Sequence, residues 1–193
     1  MVVAAVGCRE AGDLAPLPIR DSKALRPKQR EAIYEILLRD FAISIVTIDA
    51  AGIDEARSRM SMNECVAELH AEVLMGLRPE SAYVDACDVN AERYGRTVAD
   101  YLDFPCDIIS EHRADARYKI VGAASVVAKV TRDRAIRDLD EQYGNVGSGY
   151  PSDPVTIEFL RGYVRDYGSP PPCARRSWKT VTNLCQTTIA DFL

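Results

Sequence analysis

Two aspartates stand where a carboxylate can do chemistry. Asp85 closes the strand-like run Ser81-Ala82-Tyr83-Val84, and Asp115 ends the polar turn Glu111-His112-Arg113-Ala114 that follows a second such run, Cys106 to Ser110. Residues at strand ends and in the turns beyond them collect at one edge of a sheet, so both can offer oxygen ligands there, and hard divalent cations take such ligands. Taken singly neither is specific, since an Asp at a strand end commonly forms a turn or caps a helix. His112 is a candidate proton shuttle and equally a turn histidine with ordinary hydrogen bonds.

Tyr150 is the third candidate. It sits between glycines and prolines in the loop 144–154, which can hold an aromatic ring rigidly against a nucleotide sugar, or pack that ring on the loop itself. Lys129, Arg132, Arg134, Arg175, Arg176 and Lys179 are candidate phosphate contacts of the kind that position a duplex without reading its sequence. Each by itself reads as a solvated surface charge.

These residues need elements to carry them. Met1 to Gly7 reads as a buried strand, and Arg26-Pro27 opens a helix through Arg39 because proline suits the first turn and Ala32, Ile33, Ile36 and Leu37 share a face. Phe41 to Ile48 alternates as a strand, Ser61 to Gly76 has helical spacing, and Asn90 caps a helix over Ala91 to Leu102. A long helix reaches Tyr143, its small residues Gly122, Ala123, Ala124 and Ser125 allowing close approach to a sheet. Two more helices follow, near Val155 to Tyr167 and Arg176 to Cys185. Strands early and helices late point to an α/β fold with a mixed sheet packed between helices.

At 193 residues and 47% hydrophobic content the chain can bury one core. A net charge of -5 argues against nucleic-acid binding through a uniformly basic surface and leaves a local basic patch. Six scattered cysteines without a CxxC pair suggest neither a zinc site nor a disulfide framework. No apolar run reaches the roughly 20 residues that span a bilayer, and the N-terminus lacks signal-peptide features, so the expectation is a cytoplasmic monomer without membrane contact.

Longer matches sharpen this reading. DSKAL (Asp21 to Leu25), YVDACDVN (Tyr83 to Asn90), HRADARY (His112 to Tyr118), AASVVAKVTRDR (Ala123 to Arg134), GSGYPSDP (Gly147 to Pro154) and RRSWKT (Arg175 to Thr180) occur in one order. Together they resemble archaeal-type ribonuclease HII over nearly the whole chain. The resemblance implies an α/β ribonuclease H-like mixed sheet flanked by helices, with a catalytic domain over 1–145, a helical substrate-binding region over 146–185 and a tail over 186–193. It implies two Mg²⁺ or Mn²⁺ ions held by four carboxylates, of which Asp85 and Asp115 match two, and Tyr150 at the RNA–DNA junction sensing the 2′-hydroxyl. Ser22 and Lys23 match a loop near that site, and Lys179 a substrate contact. The implied activity is cleavage of RNA in RNA–DNA hybrids, including single ribonucleotides in duplex DNA, as in replication and ribonucleotide excision repair.

The other two carboxylates belong to a GxDEAGRGP strand that the family places just ahead of the segment beginning here MVVAAV. Its absence carries the expectations of a missing first strand, a poor metal cage, and, as the rival reading, a catalytically inactive module that binds hybrids or a clamp. Gly52-Ile53-Asp54-Glu55-Ala56-Arg57 mimics the missing motif but follows DSKAL; it reads as a helix start with acidic residues in the first turn. Finally, Gln186, Ile189, Phe192 and Leu193 fit Gln-x-x-aliphatic-x-x-aromatic-apolar, which resembles a sliding-clamp-binding peptide of the PCNA-interacting type.

Overall fold

The computed structural model describes residues 1–19 and 25–190. The elements run β1 (Val2–Gly7), a 3₁₀ turn (Ala11–Leu14), α1 (Pro27–Asp40), β2 (Ala42–Thr47), α2 (Ala50–Arg59), α3 (Met62–Leu77), β3 (Ser81–Asp85), α4 (Ala91–Asp100), β4 (Asp107–Glu111), α5 (Ala114–Arg117), α6 (Lys119–Tyr143), α7 (Pro154–Tyr167) and α8 (Lys179–Ala190). They fall into two compact units, one of residues 2–47 and 61–131, the other of residue 1, 48–60 and 132–193.

The first unit holds the four strands found among the described residues. β1 pairs antiparallel with β2, setting Val3 opposite Val46 and Val6 opposite Ile43. β3 pairs parallel with β4, joined through α4 as a parallel connection requires, and sets Asp85 opposite Glu111. Mixed pairing is what the sequence suggests, although among the described residues the pairs form two separate two-stranded sheets.

One core cluster of this unit gathers Val6, Leu14, Leu17 and Ile19 with Ile33, Tyr34 and Leu37 of α1 and Ala123, Val126, Val127 and Val130 of α6. Ala123, one of the small residues of α6, is fully buried in this cluster. The α1 face differs by one position from the sequence reading: Ala32 is exposed, while Tyr34 is buried. α3 is fixed at its start by a capping box, with Ser61 Oγ accepting from the Glu64 N–H at 3.2 Å and the Glu64 carboxylate accepting from the Ser61 N–H at 2.8 Å. α4 lies close on β4, because a Cβ added at Gly95 would stand 2.8 Å from Ser110 Cβ.

In the second unit α7 opens on Pro154, with Asp153 as its cap, and closes on Gly168 in the left-handed region at φ 70°. Tyr143, Phe159, Tyr163 and Tyr167 form an aromatic ladder along it, the Tyr163 and Tyr167 ring centres being 4.4 Å apart. α8 starts at Lys179, not Arg176, because residues 175–178 form a turn closed by the Trp178 N–H on the Arg175 carbonyl at 3.2 Å. The Gly52-to-Arg57 run is helical, as read, but for another reason. Asp49 caps α2 by accepting from the Gly52 N–H at 2.8 Å, and the first turn of the helix carries no acidic residue.

All six cysteines are free thiols. Among the described residues no helix is long and apolar enough to cross a membrane.

Between α3 and α4, His70 Nδ1 is hydrogen-bonded to the Tyr94 hydroxyl at 2.7 Å, with the rings edge to face. Burial drives the His70 pKa down to about 4 and raises that of Tyr94, so both are neutral near pH 7. A histidine depressed from 6.5 leaves the folded state with fewer bound protons than the unfolded chain. Its contribution is complete above pH 6.5 and is lost as pH falls through about 4, so the urea midpoint should decline across that window. Tyr94→Phe keeps the ring but strands the imidazole nitrogen, and should cost about 1–3 kcal/mol in urea unfolding at pH 7.

Candidate nuclease active site

The site grows from the carboxyl end of the parallel pair. Asp85 is the last residue of β3, opposite Glu111 at the end of β4, and the Ala86 N–H continues the ladder onto the Glu111 carbonyl at 2.9 Å. Arg113 then takes the left-handed conformation at φ 56°, uncommon for a residue with a side chain, and turns the chain sharply into α5. The turn aims the Ala114 N–H back at Asp85 Oδ1, which accepts it at 3.0 Å. Asp115 is the next residue, in the first turn of α5 rather than in the polar turn expected from the sequence. Both carboxylates are half-buried.

Glu111 is a third carboxylate at this edge that the sequence reading passed over. It is engaged by Arg117 and accepts from the Tyr118 hydroxyl at 2.9 Å. Its strand-end position was the available signal. Past Asp85, the Asp88 carboxylate accepts from the Asn90 N–H at 3.0 Å and from Arg93, and these donors, together with the Asn63 side chain, hold it below the usual carboxylate range. A polar cavity of about 360 Å³ opens there between the starts of α3 and α4, lined by Ser61, Asn63, Glu64, Asp88 and Arg93 among others.

In the second unit, Tyr150 stands 45% exposed in a loop whose backbone is tightly held. Gly147 and Gly149 both take φ 70°, and a Cβ at Gly147 would meet Asp153 and Thr156 atoms at 2.8 Å. The Asp153 carboxylate accepts from the Ser148 N–H at 2.6 Å and the Val155 N–H at 3.0 Å, and Thr156 Oγ1 accepts from the Gly149 N–H at 2.9 Å. The Arg132 guanidinium reaches the Ser148 carbonyl and lies 4.1 Å from the centre of the Tyr150 ring. One ring face is thus taken by a cation from α6.

The Arg175–Lys179 segment forms the second basic element of this unit. Arg175 lies 5.4 Å from the Trp178 ring centre, and Arg176 and Lys179 are exposed. Asp54 of α2 accepts from the Arg176 N–H at 2.6 Å, the Ser177 N–H at 3.1 Å and the Ser177 hydroxyl at 2.5 Å. His112 is exposed. Ser22 and Lys23 lie outside the described residues, as do Phe192 and Leu193; Gln186 is exposed on α8, whose backbone continues through Ile189.

A ribonuclease HII family model matches residues 1–181. The chain belongs to the ribonuclease HII family. Ribonuclease HII of Methanoregula boonei is 51% identical over 184 residues, covering 95% of this chain and 86% of that one. The fold is similar to that of the Archaeoglobus fulgidus enzyme in a structure of the PCNA:RNase HII complex, with a TM-score of 0.87 and 39% identity over 99% of this chain and 92% of that chain. It is equally similar to the crystal structure of ribonuclease H2 from Pyrococcus horikoshii, TM-score 0.87 and 36% identity, covering 98% and 99% of the two chains. The family is one of endoribonucleases.

Ribonuclease HII membership raises the question of metal. Asp85 and Asp115 are oxygen donors of the right kind for a hard divalent ion, one of them oriented by a backbone N–H. They fit as part of a ligand set; among the described residues no group of three or more His, Cys, Asp or Glu side chains is placed to complete one.

The Tyr150 loop makes a claim that can be measured. Hydrogen bonds from Ser148 and Val155 hold the Asp153 carboxyl down at about 2, below its ordinary 3.8, so its contribution is complete above pH 3.8 and vanishes as pH falls through about 2. Asp153→Ala should speed amide hydrogen exchange at residues 148–155 at neutral pH, and this difference from wild type should close as the pH approaches 2.

Proposed function

We propose that the chain cuts the RNA strand of RNA–DNA hybrids, including single ribonucleotides embedded in duplex DNA, and leaves 3′-hydroxyl and 5′-phosphate ends. The observation that carries the reading is the Asp85–Ala114 hydrogen bond, which fixes one carboxylate beside the residue that precedes the other. Mg²⁺ or Mn²⁺ bound by Asp85 and Asp115 would activate a water and stabilise the leaving 3′ oxygen. The protein's share is to aim the carboxylates, since an oriented ligand loses little freedom when it binds.

Recognition of the ribose falls to Tyr150. A ring braced by Arg132 and held by two left-handed glycines offers its exposed face to a sugar, and the 2′-hydroxyl is the group that separates RNA from DNA at such a contact. Arg175, Arg176 and Lys179 contact phosphates, and Ser22 and Lys23 lend polar contacts. The catalytic role is assigned to residues 1–145, substrate binding to 146–185 and partner binding to 186–193. That last assignment draws support from the Archaeoglobus fulgidus ribonuclease HII, whose structure is a complex with PCNA. Gln186, Ile189, Phe192 and Leu193 would dock on a sliding clamp as a short anchor peptide.

Asp85→Asn and Asp115→Asn preserve shape and remove charge. Each should lower hybrid cleavage more than about a hundredfold at saturating Mg²⁺ while the melting temperature stays close to wild type. Wild-type rates in both variants, assayed beside an active wild-type protein, would remove both residues from the site.

Deleting residues 186–193 should abolish calorimetric binding to the cognate clamp and leave cleavage of a short hybrid oligonucleotide as it was. Equal clamp affinity with and without the tail would place the contact elsewhere.

A further inference from the structure

We propose that Asp54 is a positioning residue for substrate: its carboxylate holds the Arg175–Lys179 turn in the form that grips the phosphate backbone of the duplex. The inference rests on the hybrid-binding reading above.

Asp54 and the turn are separated by more than 120 residues, yet one carboxylate takes three donors from two consecutive residues. Oδ2 accepts from the Arg176 N–H at 2.6 Å, while Oδ1 accepts from the Ser177 N–H at 3.1 Å and the Ser177 hydroxyl at 2.5 Å. Bonds of this kind, with one partner ionised, are the stronger sort. The neighbouring Glu55 shows what an ordinary surface carboxylate on α2 does, pairing at 3.4 Å with Arg59 one turn along, both side chains well exposed. Burial raises the Asp54 pKa, but the Ser177 and Arg176 donors and the Arg175 charge outweigh it, so the group titrates below the ordinary carboxylate range and is ionised at neutral pH.

The turn has a reason to need such a hold. It places three cations within five residues, Arg175, Arg176 and Lys179, which repel one another and gain nothing from a regular hydrogen-bond ladder until α8 begins. Internally it has the Trp178 N–H on the Arg175 carbonyl at 3.2 Å and the Thr182 hydroxyl on the Arg176 carbonyl at 3.3 Å. Asp54 adds an external anchor to its backbone and a negative charge beneath its positive ones. A basic turn ordered beforehand loses less freedom on meeting phosphate than one that must order during binding. An aspartate that served only the stability of the unit would leave the affinity of the folded protein for nucleic acid untouched, and one that merely stood near the duplex would repel it.

The test measures binding apart from catalysis, by fluorescence anisotropy of a fluorescein-labelled RNA–DNA hybrid in EDTA with the full chain. Asp54→Ala should weaken binding about tenfold and make the salt dependence of the affinity shallower, because phosphate contacts are lost. Asp54→Asn, which keeps an acceptor oxygen without the charge, should fall between. Circular dichroism at the assay temperature establishes that the variants are folded; if Asp54→Ala is not, Ser177→Ala, which removes one of the three donors, should still weaken binding measurably. Wild-type or tighter binding by folded Asp54→Ala, in an assay where Lys179→Ala weakens binding, overturns the positioning role and leaves the phosphate-binding turn standing. Wild-type binding by Arg176→Ala and Lys179→Ala alike overturns the turn as a phosphate contact, and the proposal with it.

Discussion

Irregular backbone must have its N–H groups satisfied, and in this protein an aspartate does so at each segment of functional interest. Asp85 accepts from Ala114, Asp153 from Ser148 and Val155, and Asp54 from Arg176 and Ser177. Sheet ladders and helix bonds end where these segments begin, so side-chain acceptors take over. Each bond joins a charged acceptor to a neutral donor, which makes it strong enough to fix a loop without a ladder. What the carboxylates hold are the start of α5, the loop bearing Tyr150 and the turn bearing Arg175 and Arg176.

This gives the two kinds of acidic residue distinct work. Asp153 and Asp54 spend their oxygens on backbone donors, and their pKa values are depressed accordingly. At the end of β3, Asp85 accepts from the N–H of Ala114, the first residue of the short helix that bears Asp115. Glu111, across the ladder from Asp85, is tied to Arg117 and Tyr118.

The supporting frame follows from packing. Gly95 permits α4 to lie on β4 at a distance no Cβ would allow, and β3 and β4 are parallel because a helix of sufficient length connects them. The parallel arrangement in turn puts the ends of both strands, and hence Asp85 and Glu111, on the same side. A left-handed Arg113 then converts the strand end into a helix start within two residues. The strain of that conformation is local to the turn between β4 and α5.

Much of this was readable in the sequence because it depends on local pattern. Apolar spacing located α1, β1 to β3, α3 and α4 closely, and the motifs around Asp85, Asp115 and Tyr150 named the family that the comparisons then showed. Capping chemistry was local as well, so Asn90 acts as read. Tertiary structure decided what distance in sequence conceals. Ala32 and Tyr34 exchange places on the buried face of α1 because what packs there comes from β1 and α6. Asp54, which looked like an acid of a helix's first turn, takes three donors from residues 176 and 177, and no pattern around residue 54 specifies a partner that far away. Asp85 meets Ala114 only because two strands are paired in register and Arg113 turns left-handed. Periodicity and capping are written within a few residues of one another, whereas the acceptor that satisfies a loop is chosen by the fold that brings it near.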